Sequence, residues 1–181
     1  MKSLILNISI NKPFGNLFRK ETVLIACKTE KNTYLFGEKK GFYPKGISRL
    51  IGGGVEKSDS SPKKAAILEI QEETNYKPKN KELISLGTVL IVATDNKKNK
   101  YNHKIYIYFL EIHSKIKLKA QDDLTGITEL NIKQFEKLIG KYNNLSKENI
   151  GKEGGLEFSW YDYGQVYGPV HQFVFDLIKK K

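Results

Sequence analysis

Residues 52–76 read GGGVEKSDSSPKKAAILEIQEETNY, which is a glycine-rich turn, a polar loop and then a segment with the composition of a helix. Pro62 suits the first position of that helix, because the missing N–H of proline would have no intrahelical partner there. Asn75 tolerates the left-handed conformation of a helix C-terminus, and Pro78 follows shortly after it. The sequence therefore predicts a helix from Pro62 to about Asn75 that is entered from a glycine turn.

Three glutamates, Glu69, Glu72 and Glu73, share one face of this predicted helix. At about 100° per residue, they fall within an arc of roughly 100°. An apolar stripe that includes Ala66 and Ile70 lies beside them, so the carboxylates should stand at the edge of the core. Carboxylates at this spacing repel one another, at a cost of roughly a few tenths of a kcal/mol per pair.

A hard cation such as Mg²⁺ would relieve this repulsion, because it takes oxygen ligands and commonly joins one or two carboxylates to substrate phosphates. The competing interpretation is an ordinary solvated acidic face. The glycines Gly52 to Gly54 favour the metal site, since they let the backbone approach a ligand closely. A predicted strand over residues 47–51 leads directly into them.

The stretch resembles the Nudix box. The family pattern is a glycine and a glutamate at fixed spacing, followed by Arg-Glu-apolar-any-Glu-Glu-any-Gly-apolar. Gly53 matches the glycine, Asp59 stands at the first glutamate, and residues 68–76 cover the rest. The flanking contexts GGxVE at residues 52–56 and AAxxE at residues 65–69 agree with the family as well. The resemblance implies a Nudix-like fold and a metal-dependent hydrolase.

The match departs from the family pattern at several positions. The loop after Asp59 carries one extra residue, and Asp59 keeps the charge of the expected glutamate on a shorter side chain. Asn75 replaces the box glycine, a mild change at a left-handed cap. Leu68 stands where the family has an arginine that orients catalytic carboxylates, and leucine cannot donate a hydrogen bond. This last departure concerns activity rather than fold.

The resemblance also implies roles for individual residues. Glu69 and Glu73 are the implied metal ligands, Glu72 ligates or supports, and the backbone carbonyl of Gly52 completes the site. Mg²⁺ or Mn²⁺ is the implied cofactor, which neutralises charge on the bridging phosphate oxygens. Glu69 and Glu72 are the implied catalytic residues.

The general base and the phosphate contacts are less well defined. Asp122, Asp123 and Glu129 are alternatives to Glu69 as the base, with an ordinary turn or helix-start role as the competing interpretation for each. Arg49, on a predicted strand, could equally pair with an acid. The substrate-binding candidates are Arg49, Lys45, Gly53 and Asp59.

The implied substrate is a small-molecule nucleotide in which a nucleoside diphosphate is linked to another moiety. It could be a nucleoside triphosphate, a nucleotide sugar such as ADP-ribose, or a dinucleoside polyphosphate. The rival hypothesis is a catalytically weak or inactive Nudix-fold module that binds a nucleotide or an RNA end. Leu68 and the net charge of +11 favour that module, whereas the retained glutamates oppose it.

Hydrophobic periodicity elsewhere predicts a strand-rich domain. Strands are predicted near residues 3–10, 22–29, 33–36, 47–51, 83–93 and 104–112, and further helices at residues 131–139 and 169–179. The stretch from residue 140 to residue 155 is predicted to be a loop. Few strands alternate with helices, so the predicted class is α/β (α+β), a Nudix-like α/β/α sandwich with a mixed sheet. Residues 1–181 are expected to form a single Nudix hydrolase domain.

The charge of +11 raises the question of nucleic-acid binding. Arginine occurs only at Arg19 and Arg49, and the lysines are scattered through every loop, which indicates a general lysine preference rather than a recognition surface. Nucleic acid is therefore the less favoured partner, and a basic rim that attracts polyphosphate is an alternative. A homodimer is compatible with the sequence.

The remaining features point to a cytoplasmic protein without a membrane partner. No segment approaches the roughly 20 apolar residues of a membrane span, and the N-terminal alternation predicts a strand rather than a secretion signal. Cys27, in an apolar stretch, is predicted to be a buried strand residue. An aromatic cluster at residues 158–167 either packs a C-terminal segment onto the core or lines a pocket for a base or sugar.

Overall fold

The fold is taken from a computed structural model that describes residues 2–113 and 118–180. Short 3₁₀ turns occur at Gly15–Phe18 and Asn80–Glu82. The strands are β1 (Lys2–Ser9), β2 (Glu21–Thr29), β3 (Tyr34–Glu38), β4 (Arg49–Leu50), β5 (Ile84–Thr94), β6 (Lys100–Ile112), β7 (Gly126–Leu130), β8 (Ile150–Glu153) and β9 (Leu156–Ser159). The helices are α1 (Pro62–Thr74), α2 (Ile132–Asn143) and α3 (Trp160–Ile178).

The main sheet of the described residues is mixed, as the sequence predicts. Its strand order is β1-β5-β6-β2-β3-β4, with β7 on the other side of β3. β1 runs parallel to β5 and β2 parallel to β6, whereas the β5–β6 and β3–β7 pairs are antiparallel. β8 and β9 form a separate antiparallel hairpin.

The sheet splits between β2 and β3, and this split positions the glycine turn. The two strands pair directly only at Lys28 and Tyr34. Beyond that point β4 pairs with β3, while Ile51 and Gly54 bridge to β2. The predicted strand over residues 47–51 is therefore regular only at β4, because the chain crosses from one side of the split to the other.

Apolar side chains alternate along β2 and create a core on each face of the sheet. Leu24 and Ala26 face a core that contains α2 and α3. Val23, Ile25 and Cys27 face a second core that contains α1. The result is the predicted α/β/α sandwich, and the prediction that Cys27 is a buried strand residue is confirmed.

The C-terminal third differs most from the sequence prediction. Helix α3 begins at Trp160 rather than near Pro169, which lies inside it. The region predicted as a loop contains the end of α2 and the strand β8, whose hairpin partner β9 follows it, and β7 was not predicted at all. Close packing explains the longer helix: Gly164 lies against the carbonyl of Tyr142 in α2, where a Cβ atom would collide. Among the described residues, no helix has the length and apolar character needed to cross a membrane.

Candidate functional site

The glycine turn lies in the split of the sheet and is held against β2. The amide of Ile25 donates to the carbonyl of Ile51 at 2.8 Å, and the amide of Val23 donates to the carbonyl of Gly53 at 2.9 Å. Gly52, between them, has φ +142°, and a Cβ atom there would collide with the carbonyl oxygen of Val23. Only glycine fits this position, so the turn is a rigid platform for the helix that follows.

Helix α1 begins and ends as the sequence predicts. The side chain of Ser61 accepts a hydrogen bond from the amide of Lys64 at 3.2 Å, and Pro62 occupies the first turn. Asn75 closes the helix in the left-handed conformation with φ +60°. Ala66 and Ile70 are fully buried against the sheet, which sets the rotation of the helix about its axis.

That rotation separates the three glutamates. On the helical wheel, Glu73 lies nearest the stripe of Ala66 and Ile70, Glu69 lies further away, and Glu72 lies furthest. The burial follows this order: Glu73 is only 4% exposed, Glu69 is partly buried, and Glu72 is exposed. The structure therefore brings Glu69 and Glu73 to the glycine turn and leaves Glu72 on the outer flank of α1.

Both inner carboxylates contact the glycine backbone. The amide of Gly52 donates a hydrogen bond to Oε2 of Glu73 at 2.9 Å. The carboxylate of Glu69 lies directly over the Cα atom of Gly53, where a Cβ atom would collide with both of its oxygens. Gly53 is thus required for the position of Glu69, and Gly52 for that of Glu73.

The environment of these carboxyl groups disfavours their ionised forms. The pKa of Glu69 is raised from 4.5 to about 7, chiefly by burial and then by repulsion from Glu73. The pKa of Glu73 is also raised to about 7 by burial, against the opposing effects of Arg49 and of the hydrogen bond from Gly52. Additional positive charge close to Glu69 and Glu73 would therefore favour their ionised forms near neutral pH.

Arg49 supplies a cation to this turn, from the strand that precedes the turn rather than from the helix that follows it. Its Nη2 donates to the carbonyl oxygen of Gly52 at 2.5 Å, and its charge lowers the pKa of both Glu69 and Glu73.

Leu68, at the position of the family's arginine, is partly exposed and belongs to neither apolar core. In the family pattern an arginine on the helix orients these carboxylates. Here Leu68 occupies that position, and the guanidinium near the carboxylates is that of Arg49 from the strand.

These groups line a cavity of about 160 Å³. Its walls include the predicted residues Arg49, Gly52, Gly53, Glu69, Glu73, Asp122 and Asp123. Further lining residues, which the sequence did not single out as site residues, are Asn16, Arg19, Lys39, Phe42, Tyr43, Gly54, Glu153 and Tyr163. Among these residues, Gly54 had a sequence signal as a member of the glycine run, and Tyr163 as a member of the aromatic cluster.

The other predicted site residues lie elsewhere. Asp59 accepts a hydrogen bond from the amide of Glu56 at 2.8 Å within a turn. Glu129 accepts one from the hydroxyl of Thr33 at 2.7 Å on β7. Lys45 lines a neighbouring groove rather than the cavity. The structure therefore does not bring these residues to the carboxylates.

Within residues 2–113 and 118–180, no three Asp, Glu, His or Cys side chains converge closely enough to hold a metal ion by themselves. Mg²⁺ does not require such a cage, because it keeps several waters and uses one or two carboxylates together with substrate phosphates. Glu69, Glu73 and the carbonyl of Gly52 offer oxygen donors of that kind. The residues present therefore fit a divalent ion that is completed by water and substrate.

A larger groove of about 500 Å³ adjoins the cavity and shares Lys39 and Tyr43 with it. Its floor is apolar, formed by Ile47, Leu130 and Leu138. Glu38 is the single acid in its lining. The lysines that line it are Lys39, Lys40, Lys45, Lys137 and Lys141.

Comparison with known proteins places this site in context. A family model described as NUDIX domain matches residues 18–149. That match includes the glycine turn and α1 but leaves out Asn16, Glu153 and Tyr163 of the cavity wall. No curated protein matches the chain in sequence.

Solved structures share the fold at low sequence identity. The MutT protein from Bacillus halodurans has a TM-score of 0.54 and 18% identity, with 66% of this chain and 72% of that chain covered. The NUDIX domain of Shewanella oneidensis NrtR, complexed with ADP ribose, has a TM-score of 0.52 and 16% identity over 66% and 77% of the two chains. The E. coli dihydroneopterin triphosphate pyrophosphohydrolase has a TM-score of 0.51 and 13% identity over 65% and 85%.

Proposed function

The chain belongs to the NUDIX domain family, and from this premise we propose that it is a metal-dependent pyrophosphohydrolase acting on a nucleoside diphosphate linked to another moiety. The observation that carries the proposal is the buried pair Glu69 and Glu73, seated on Gly52 and Gly53 with pKa values raised to about 7. A purely structural acidic pair would gain nothing from this burial. We further propose that residues 1–181 form one domain, since β1 and α3 belong to the same sheet and core as the matched region.

The proposed site divides the work among a few groups. Glu69, Glu73 and the carbonyl of Gly52 would hold Mg²⁺ or Mn²⁺, which when bound supplies Lewis-acid stabilisation of charge on the bridging phosphate oxygens. Glu69 lines the cavity and is the proposed base that removes the proton from the attacking water. Glu72 acts from the outer flank through its charge, which raises the pKa of Glu69.

The cations of the cavity bind the phosphates. Arg49, Arg19 and Lys39 line the same walls as the carboxylates and are available to contact phosphate oxygens. Asp123 forms an ion pair with Lys39, so we assign that acid to positioning the lysine rather than to the base. Asp122 has a positive φ of 55° in the same loop and remains the alternative base.

We propose that the rest of the substrate occupies the adjoining groove. The cavity, at about 160 Å³, is smaller than the roughly 300 Å³ at which ligand pockets begin, and so it accommodates phosphates but not a whole nucleotide. The groove combines an apolar floor for a base with a lysine rim for further phosphate charge. In this arrangement Gly53 contacts the end of the substrate in the cavity, and Lys45 contacts the end in the groove. Asp59 supports the turn between the glycines and α1 through its hydrogen bond with the amide of Glu56.

The second candidate function is nucleotide binding without turnover, favoured by Leu68 at the position of the family's arginine. Both candidates are tested by one screen. The protein is incubated with Mg²⁺ or Mn²⁺ and nucleoside triphosphates, ADP-ribose or dinucleoside polyphosphates, and the release of phosphate or nucleoside monophosphate is measured. Binding without release on every substrate would establish the second function and reject the first.

The same screen tests the carboxylates through Glu73→Gln. The side-chain amide keeps an acceptor for the backbone amide of Gly52 but removes the negative charge, so turnover should fall about 100-fold or more while the protein stays folded, with a melting temperature without metal no lower than that of wild type. Glu136→Gln, on the exposed surface of α2, is the matched control and should leave turnover unchanged. Near-normal rates for both Glu73→Gln and Glu69→Gln would reject the mechanism.

A further inference from the structure

The hydroxyl of Tyr163 is buried at the wall of the candidate cavity without a hydrogen-bond partner. Tyr163 lies on α3, is 3% exposed, and lines the cavity together with Arg49. Its Oη is the one buried side-chain nitrogen or oxygen in the described residues that lacks a partner. Leaving a buried polar group unpaired costs about 1–3 kcal/mol, so such a group calls for a physical explanation.

Neighbouring tyrosines in the same aromatic stack each have a hydrogen-bond partner. The hydroxyl of Tyr142 donates to the carbonyl of Ser48 at 2.8 Å. The hydroxyl of Tyr167 accepts from Nδ2 of Asn16 at 2.6 Å. The fold thus provides partners for two adjacent phenols and none for the phenol of Tyr163, a residue that lines the cavity.

The ring of Tyr163 is held in place by its surroundings. Its centroid lies 4.5 Å from that of Tyr167, 5.0 Å from that of Trp160 and 5.2 Å from that of Phe14. Such close aromatic packing leaves the hydroxyl little freedom to turn toward another acceptor. The donor is therefore preorganised for something that enters the cavity.

The cavity lining contains five acids as well as three cations, so a phosphate group would enter it together with the divalent ion of the proposed function. Arg49, Arg19 and Lys39 present donors and positive charge to the same space. An anionic oxygen can accept from a phenol and a guanidinium together, and hydrogen bonds to charged acceptors are stronger than those between neutral groups. The nearby carboxylate of Glu153 is already engaged by the amide of Gly15 at 3.0 Å.

We propose that the hydroxyl of Tyr163 donates a hydrogen bond to a phosphate oxygen of the bound diphosphate, beside the positive charge of Arg49. The proposal takes the diphosphate ligand from the proposed function. It goes beyond the family assignment, because α3 lies outside residues 18–149. Helix α3 then has two roles, as part of the core and as a wall that selects the ligand.

The test compares Tyr163→Phe with the matched control Tyr142→Phe. Binding of α,β-methylene-ADP in the presence of Mg²⁺ is measured by calorimetry, and stability without ligand by urea unfolding. Tyr163→Phe should weaken binding about tenfold or more while leaving stability equal to or above that of wild type, since it removes an unpaired polar group. Tyr142→Phe should lower stability, because it removes a hydrogen bond, and should leave binding unchanged.

Three outcomes would overturn the proposal: no binding of the analogue by wild type, unchanged binding by Tyr163→Phe, or a loss of stability in Tyr163→Phe that matches Tyr142→Phe. The last outcome would show that the hydroxyl has a structural partner. The analogue cannot be hydrolysed between its phosphates, so this binding test is independent of turnover. A protein that binds the analogue through Tyr163 but hydrolyses no substrate would contradict the proposed function and support this inference.

Discussion

Gly52 makes two hydrogen bonds of the site through its backbone and has a conformation that only glycine fits. Its amide donates to Glu73, its carbonyl accepts from Arg49, and its φ of +142° places the Cα atom where a Cβ atom would collide with β2. The charged side chains of the turn therefore converge on backbone atoms rather than on one another. This arrangement lets a strand and a helix position a shared site without a direct ion pair between them.

Substitution of Arg49 tests this arrangement directly, because its side chain contacts Gly52 and its charge lowers the pKa of Glu69 and Glu73. Arg49→Gln should lower turnover about tenfold or more, because it removes the positive charge beside Glu69 and Glu73 and a charged donor whose hydrogen bond contributes roughly 1.5–3 kcal/mol. Leu68→Arg should leave the fold intact, since Leu68 lies outside both apolar cores. In the Arg49→Gln background it should restore part of the lost rate by placing a guanidinium beside the acidic face. Steady-state kinetics on a confirmed substrate measures both, and a wild-type rate in Arg49→Gln would contradict the role given to this residue.

At the level of elements, α1 determines which carboxylates enter the cavity. The stripe that contains Ala66 and Ile70 fixes the helix rotation, so Glu73 is buried, Glu69 stands at the cavity edge and Glu72 remains in solvent. The ends of the helix fix its position along the axis. The cap at Asn75 is thus part of the site even though the residue is exposed and lines neither the cavity nor the groove.

The cap gives a prediction about stability. Asn75→Ala should destabilise the protein by up to about 1–2 kcal/mol, because alanine tolerates the left-handed region less well than asparagine does. Asn75→Gly, which creates the residue of the family pattern, should be nearly neutral or slightly stabilising. Urea unfolding measures both variants. Equal stability of the alanine and glycine variants would show that the cap conformation contributes nothing.

For the whole molecule, the raised pKa values of Glu69 and Glu73 link stability to pH and metal. In the unfolded chain these groups ionise near 4.5, whereas in the folded protein they ionise near 7. Between those values the unfolded state binds fewer protons, so their contribution to stability falls as pH rises. Buried His171, with its pKa lowered to about 4, has the opposite effect over part of the same window.

A comparison with Glu73→Gln isolates the carboxyl contribution. Without metal, the variant should gain stability relative to wild type as pH rises from about 4.5 to about 7. With millimolar Mg²⁺, wild type should show a rise in melting temperature that is larger at pH 8 than at pH 5, because the metal binds the ionised carboxylates of the folded state. Glu73→Gln should lose most of that rise. Thermal unfolding across pH would refute the metal site if Mg²⁺, with or without nucleotide, shifted neither protein.

The sequence by itself determined the parts of the site that are close together along the chain. Helix α1, its caps, the glycine turn and the face shared by the glutamates all follow from local spacing and conformational preference, as do most strands of the sheet. These features are readable because a helix or strand repeats its burial pattern every few residues. The resemblance to a family rested on the same local stretch.

Only the tertiary structure decided how distant segments complete the cavity. Arg49 could have paired with an acid, but at the split between β2 and β3 its side chain donates to the carbonyl of Gly52. Asn16 and Tyr163 reach the cavity from opposite ends of the chain, and α3 extends back to Trp160 because its glycines allow close contact with α2. Such contacts depend on how packed layers meet in space. No periodic pattern along the chain predicts contacts between distant segments. These cavity residues can therefore be identified only from the assembled sheet and its two apolar cores.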